Sequence, residues 1–206
     1  MTSFRAIRIV ALPFVSLVLC AAALVASSSR AAAEDPPEAP AAPAQAPAAP
    51  TGNQAPGSRI SPREAMQRMS FLVGEWDGNG WVVTPDGQRH ELRQHESVRT
   101  KLEGAALLIE GTGTEQGRIA FRAIGLVFYE PWSGQYRMHS GTTDGLSGVA
   151  TLTPVENGFD WAPDAAKDRI RYSMRLEDGW WHETGEMSTD GGATWTPMME
   201  MKLWKK

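Results

Sequence analysis

The feature that most constrains this chain is the spacing of its turn signals after Phe71. Short runs of alternating apolar and polar residues are separated by turns such as Asn157-Gly158 and Asp190-Gly191-Gly192. Gly, Asn and Asp supply the positive φ values that tight hairpins need. Most of these turns are about 8 to 18 residues apart, which is too short for crossover helices. The pattern therefore predicts antiparallel strands that pair with their chain neighbours.

The alternation predicts about ten strands with one buried and one solvated face. They fall near 74–83, 88–100, 105–114, 118–129, 135–142, 146–154, 158–162, 168–176, 180–187 and 195–204. A flat sheet of ten strands leaves two open edges, and closure into a barrel removes both of them. We therefore predict an all-β fold, a single antiparallel β-barrel.

One short helix is predicted before the barrel. Ser61-Pro62-Arg63-Glu64 has the form of a capping box with Pro at the first helical position. The helix is expected over about 62–69. Met66 and Met69 would then share one face and pack against the barrel.

The N-terminus has the order of residues that is typical of a secretory signal peptide. Arg5 and Arg8 precede an apolar run over 9–26, and small residues follow at 31–33. The sequence thus predicts a signal peptide over 1–33 and export to the periplasm or the medium. Two alternatives stay open, an uncleaved membrane anchor and a lipid-modified Cys20.

Residues 34–58 are rich in Ala and Pro and contain no aromatic residue. Such a segment has little to bury, so it is predicted to be a disordered linker before the barrel domain, 59–206. Cleavage after residue 33 would remove Cys20 and three of the 20 Lys and Arg, but none of the 24 Asp and Glu. The resulting net charge of −7 argues against nucleic-acid partners and against binding to anionic membranes. The oligomeric state stays open.

The most specific motif is Gly74-x-Trp76-x-Gly78-x-Gly80, which follows Phe71-Leu72-Val73. At period two its four residues share one face of the first strand, where Trp76 would close one end of the barrel. A short helix followed by Gly-x-Trp resembles the opening of the calycin superfamily, which includes lipocalins and fatty-acid-binding proteins. The longer form of the motif also resembles the haem-binding nitrobindins.

The chain resembles most a bacterial calycin-like family, domain of unknown function 1579, over about 62–206. That family pairs the opening motif with a late Ser-x-Asp-Gly-Gly-x-x-Trp hairpin, here Ser188 to Trp195. The resemblance implies a barrel and leaves the activity open. By analogy with lipocalins, Lys202 would stack on Trp76. Nitrobindins bind haem through a late His, which 196–206 lacks, so haem is disfavoured and no cofactor is predicted.

All eight Trp residues fall within 59–206. This content suits either a packed core or an aromatic-lined cavity. The candidate ligand-binding residues are Trp76, Glu110, Arg122, His139 and His182. No catalytic residue is assigned, because no nucleophile motif is present and a carboxylate pair such as Glu183 and Glu186 has an odd spacing that puts the two side chains on opposite faces of a strand. The histidines lack metal-ligand spacing, so no metal site is predicted.

Three hypotheses on function follow. The preferred one is an exported barrel that binds a small apolar or aromatic molecule in its interior. The second is a structural or interaction protein of the cell envelope with a filled barrel. The third is an enzyme that uses His139, His182, Glu110 or Arg122 inside a cavity.

Overall fold

The computed structural model describes residues 60–206, so the predicted signal peptide and the whole predicted linker, 34–58, lie outside the described residues. One α-helix, α1 (Pro62–Gln67), precedes ten strands. The strands are β1 (Gly74–Val83), β2 (Arg89–Lys101), β3 (Ala106–Glu115), β4 (Arg118–Glu130), β5 (Gln135–Thr142), β6 (Ser147–Val155), β7 (Gly158–Pro163), β8 (Ile170–Glu177), β9 (Trp180–Met187) and β10 (Thr196–Lys205). Single-turn 3-10 helices span Ser70–Leu72, Leu102–Gly104 and Asp164–Ala166.

The strands form one closed barrel. Each strand pairs antiparallel with the next, and β10 pairs with β1, with Trp76 opposite Lys205. The predicted fold, a single antiparallel barrel preceded by a short helix, is confirmed. Every predicted strand matches an observed one, with bounds within two residues.

The short helix covers one end of the barrel. The Ser61 side chain accepts a hydrogen bond from the backbone N–H of Glu64, as a capping box requires. The helix ends at Gln67, two residues earlier than predicted, where the chain tightens towards Ser70–Leu72. Met66 and Met69 are both buried, and Tyr136 of β5 donates its hydroxyl to the carbonyl of Ala65 at 2.8 Å. The helix is thus held to the barrel by apolar contact and by this hydrogen bond.

The glycines of the opening motif let β1 and β10 approach each other closely. A Cβ at Gly78 would lie 1.9 Å from the carbonyl oxygen of Lys202, and one at Gly80 would lie 2.7 Å from that of Glu200. A side chain at either position would force the two strands apart. The motif therefore permits the strand pairing that closes the barrel.

Trp76 lies inside the barrel and is 1% exposed. Its indole N–H donates to the carbonyl of Leu72 at 2.7 Å, and its ring meets the ring of Trp181 edge to face at 5.6 Å. The lysine above it is Lys205, whose Nζ lies 5.2 Å from the ring centroid. The expectation for Lys202 was wrong, because Lys202 pairs with Asn79 and faces outwards.

Candidate functional site

The barrel interior is apolar except for three side chains on two strands. Gln94 and Glu96 of β2 and Glu183 of β9 are each at most 6% exposed, among buried Trp, Met, Leu and Phe side chains. Each lies at a position where the strand's alternation points inwards. Within 60–206, Glu96 and Glu183 are the buried charged side chains, and no Lys, Arg or His is buried with them.

Glu183 is anchored by two indoles. Trp161 of β7 donates its indole N–H to one carboxylate oxygen at 2.9 Å, and Trp181 donates to the other, also at 2.9 Å. Burial raises the pKa of Glu183 above its ordinary value, while the two indole hydrogen bonds act in the opposite direction. Both oxygens serve as acceptors, so this arrangement favours the ionised form relative to a carboxyl without such donors.

Glu96 has only one of its two oxygens satisfied. The Gln94 side chain donates to Oε1 at 2.6 Å, whereas buried Oε2 has no partner within the described residues. Burial raises the pKa of Glu96 to about 8; the hydrogen bond from Gln94 opposes that rise, and the charge of Glu183 adds to it. We therefore place a proton on Glu96 at neutral pH.

The space for the Glu96 carboxyl comes from a glycine on the neighbouring strand. Gly111 of β3 pairs with Glu96, and a Cβ there would lie 2.7 Å from Oε1 and 2.9 Å from Oε2. Any larger residue at position 111 would displace the carboxyl group. The missing side chain of Gly111 thus provides the space in which the Glu96 carboxyl group is accommodated within the apolar core.

Both acids line one interior cavity of about 40 Å³. At about 10–15 Å³ for each water, this volume holds about three waters or a ligand of a few heavy atoms. The lining residues are Glu96, Ile109, Gly125, Met138, Phe159, Trp161, Trp181, Glu183 and Met201. The cavity thus combines two carboxyl groups with aromatic rings and flexible thioethers.

Four of the five predicted site residues lie on the outer face of the barrel. Glu110, Arg122 and His139 are exposed, and half-buried His182 contacts Glu177 and Glu200 on the outside. Each follows or precedes an inward-facing residue, so the alternation of the strand directs its side chain outwards. These four residues do not line the interior, contrary to expectation, and Trp76 is the one predicted residue found there.

Sequence reasoning missed Glu96 and examined Glu183 only as a partner for Glu186. Those two glutamates do lie on opposite faces, as their odd spacing indicates. The sequence does contain a signal that could have identified Glu183. On the inward face of β9, Trp181 and Gly185 flank Glu183 at a spacing of two residues. An acid on such a buried face needs hydrogen-bond donors or a countercharge, which marks it as a candidate site residue.

The predicted late hairpin is present and braced by its own side chains. Asp190 accepts from the backbone N–H of Thr194 at 2.9 Å and from the hydroxyl of Ser188 at 2.7 Å. Trp195 of this motif is half-buried under Arg171, whose guanidinium carbon lies 4.1 Å from the centroid of its ring. The hairpin is therefore a brace outside the barrel.

One groove on the outer face has its charged side chains paired with one another. It has a volume of about 490 Å³ and crosses β6 to β9. Its charged residues form ion pairs, Arg175 with Asp160 and Arg171 with Glu186, each at 2.7 Å. No comparable unpartnered group points into it among the residues described, so we take the interior cavity as the candidate site.

Two negative observations apply to the described residues 60–206. No group of three or more His, Cys, Asp or Glu side chains there is arranged to hold a metal ion. Nor does that part of the chain contain a helix with both the length and the apolar character needed to cross a membrane.

Comparison with known proteins supports the fold. No protein-family model matches this chain, and no curated protein matches it. Among 17 matching chains of solved structures, Rv2717c from M. tuberculosis has a TM-score of 0.53 and 14% identity, covering 69% of this chain and 97% of that one. A de novo designed fluorescence-activating β-barrel has a TM-score of 0.32 and 15% identity, covering 66% of this chain and 95% of that one. The likeness to Rv2717c extends to the barrel architecture alone.

Proposed function

We propose that this protein is a binding barrel that holds one small, mostly apolar molecule in its interior, with a polar group of the ligand against Glu96. The observation that carries the proposal is Glu96 Oε2, which is buried, unpartnered and on the wall of an interior cavity. A few fixed polar groups in an apolar wall are typical of small-molecule sites.

The energetic reason lies in the cost of an unpaired buried oxygen. Leaving such a group without a hydrogen bond costs about 1–3 kcal/mol, which a ligand group bonded to it would recover. Met138 and Met201 line the same cavity, and thioether side chains adapt readily to the shape of a guest. The observed volume is therefore a lower bound for what the site accepts.

Two further statements from the sequence analysis stay predictions. The first is membership of the calycin-like superfamily and, within it, of the domain of unknown function 1579 family. The second is export through a signal peptide over 1–33. Cell fractionation of the expressed full chain tests export, because a periplasmic location requires that segment to act as predicted.

The test of binding uses the full chain purified under native conditions and analysed by native mass spectrometry. We expect a bound small molecule, and we expect the substitution Ile109→Phe to abolish it by filling the cavity. The matched control is Ile124→Phe on the outer face, where the side chain is 48% exposed. The proposal fails if no bound mass is found and no small alcohol or amine changes the fluorescence of the interior Trp residues.

A second candidate function has one observation in its favour. Trp180 and Trp204 are 45% and 38% exposed and form an edge-to-face pair on the outer face. Exposed aromatic pairs are common at protein interfaces. An interaction protein with a filled barrel would form a complex or dimer that Trp204→Ser weakens and Ile109→Phe leaves intact, which light scattering can measure.

The enzyme hypothesis loses the residues on which it depended. Glu110, Arg122, His139 and His182 do not converge in a cavity, because their side chains lie on the outside of different strands. We therefore do not propose a reaction.

A further inference from the structure

We propose that the interior ligand is a small organic cation, an alkylammonium ion whose N–H group bonds Glu96 Oε2. This inference rests on the proposed function, because it names the chemical class of the molecule in the same cavity. Three features of the described residues carry it: the charge of the interior, the chemistry of the walls and the volume available.

The interior has acids and no base. Glu96 and Glu183 are both buried, while no buried Lys, Arg or His accompanies them in residues 60–206. An uncompensated buried carboxylate is costly, and in proteins it is either protonated or paired. A cationic guest would supply the countercharge that the chain itself does not provide.

The walls suit an organic cation better than a metal ion. Phe159, Trp161 and Trp181 line the cavity, and aromatic rings attract ammonium groups through their quadrupoles. Trp161 and Trp181 already bond both oxygens of Glu183. This leaves Glu96 Oε2 as the free carboxylate oxygen, whereas divalent metal ions need several oxygen ligands.

Binding of a cation would change the protonation of Glu96. The groups that face Glu96 are Gln94 on its own strand, Trp76 of β1, Gly111 of β3 and, across the cavity, Glu183. Glu183 is the titratable one among them. The alkylammonium ion would favour ionised Glu96, so the Glu96 proton would pass to solvent as the cation enters. Affinity should therefore rise from pH 6 to pH 8, where the ammonium group itself stays protonated.

The volume of about 40 Å³, before any movement of the thioether side chains, fits a ligand head group of a few heavy atoms. Ethylammonium, with three heavy atoms, is therefore a suitable probe, and ethanol is a neutral match with the same number. For so small a ligand the expected Kd is on the order of millimolar. Titrations of the full chain with ethylammonium chloride in a constant potassium chloride background separate specific binding from ionic strength.

We expect ethylammonium to bind at least tenfold more tightly than ethanol, as measured by Trp fluorescence and calorimetry. Glu96→Gln should weaken ethylammonium binding at least tenfold, whereas Glu110→Gln on the outer face should leave it unchanged. Calorimetry in buffers of different ionisation enthalpy should detect proton release on binding at pH 7. Circular dichroism of Glu96→Gln checks the fold, and proton release by the unmodified chain provides a test that needs no variant.

The outcomes separate the two proposals. If ethanol binds as tightly as ethylammonium and Ile109→Phe abolishes both, the cation assignment is overturned and the binding function stands. A neutral co-purified molecule in the cavity leads to the same conclusion. If neither probe binds and no molecule co-purifies, both proposals fall.

Discussion

Carboxylates inside and outside this barrel have opposite surroundings. On the outer face Asp160 pairs with Arg175 and Glu186 pairs with Arg171, each at 2.7 Å and partly exposed to water. In the interior Glu96 and Glu183 have neutral hydrogen-bond donors and no basic partner among the described residues.

The difference shows how burial decides what an acid can do. Outside, water screens each charge, so an ion pair contributes only about 0–1 kcal/mol and its loss is tolerated. Inside, each carboxylate must be neutralised by a proton or a cationic ligand, or stabilised by hydrogen-bond donors, because the apolar surroundings penalise the ionised form. A buried acid without a basic partner is thus better evidence for function than a surface pair.

The sharpest test of this contrast removes one glutamate from each side. Glu183→Ala leaves the indole N–H groups of Trp161 and Trp181 without acceptors and opens a cavity. We expect the free energy of unfolding to fall by about 3–5 kcal/mol. Glu186→Ala on the same strand should cost about 0–1 kcal/mol. Urea denaturation followed by circular dichroism measures both, and equal losses would refute the contrast.

The second prediction concerns the pH dependence of stability. The pKa of Glu96 is raised to about 8 in the folded state, above its value in the unfolded chain. The folded state therefore binds more protons between those two values, and stability should fall as the pH rises from 5 to 8. For this group alone the expected loss is on the order of 3 kcal/mol, with the slope levelling above pH 8.

Glu96→Gln removes this titration, so its stability should vary less between pH 5 and 8. The remaining slope would come mainly from Glu183, whose pKa is also raised by burial. Exposed Glu110→Gln should keep the slope of the unmodified chain. Urea denaturation at several pH values measures the slope of the free energy of unfolding against pH. Identical slopes for Glu96→Gln and Glu110→Gln would show that Glu96 does not titrate as described.

The third prediction tests the space reserved for the Glu96 carboxyl. Gly111→Ala would place a Cβ 2.7 Å from that carboxyl, which is held by Gln94. We expect a loss of about 1–3 kcal/mol from overpacking. Gly125→Ala is the matched control, because its Cβ would meet the flexible thioether of Met138 at 3.0 Å. The midpoint of thermal unfolding should be lower for Gly111→Ala than for Gly125→Ala. The reverse order would contradict a rigidly held Glu96 side chain.

Much of this architecture was predictable because its causes are local. Turn residues such as Asn157, with φ of 54°, and the alternation around Tyr172 define strands within a few residues of chain. The closing motif at Gly78 is also local. The end of α1 was predicted less well. The helix stops at Gln67 rather than at residue 69, because Met69 packs into the barrel, and such a tertiary contact cannot be predicted from the local sequence.

The site was less predictable because closure creates it. Glu96 and Glu183 are far apart in sequence, and only the closed barrel places both on one cavity. Chemistry-bearing residues such as His139 were expected inside, although the alternation of β5 buries Tyr136 and Met138 and therefore exposes His139. Applying that alternation strictly on every strand would have removed the outward-facing candidates and kept Glu183.

The smallest effect should come from the lysine at the rim, where interior and exterior meet. Lys205 lies over the Trp76 ring, with Nζ 5.2 Å from the centroid, while Lys202 faces outwards near Glu200. Lys205→Met should lower the free energy of unfolding by about 0.5–1 kcal/mol, because the cation–π contact is lost. The loss is small because methionine keeps the apolar part of the lysine side chain. Lys202→Met should change stability by less. Because Trp76 is buried against Trp181, its fluorescence should also shift in the Lys205 variant alone. An equal fluorescence shift in both variants would contradict a specific interaction between Lys205 and the Trp76 ring.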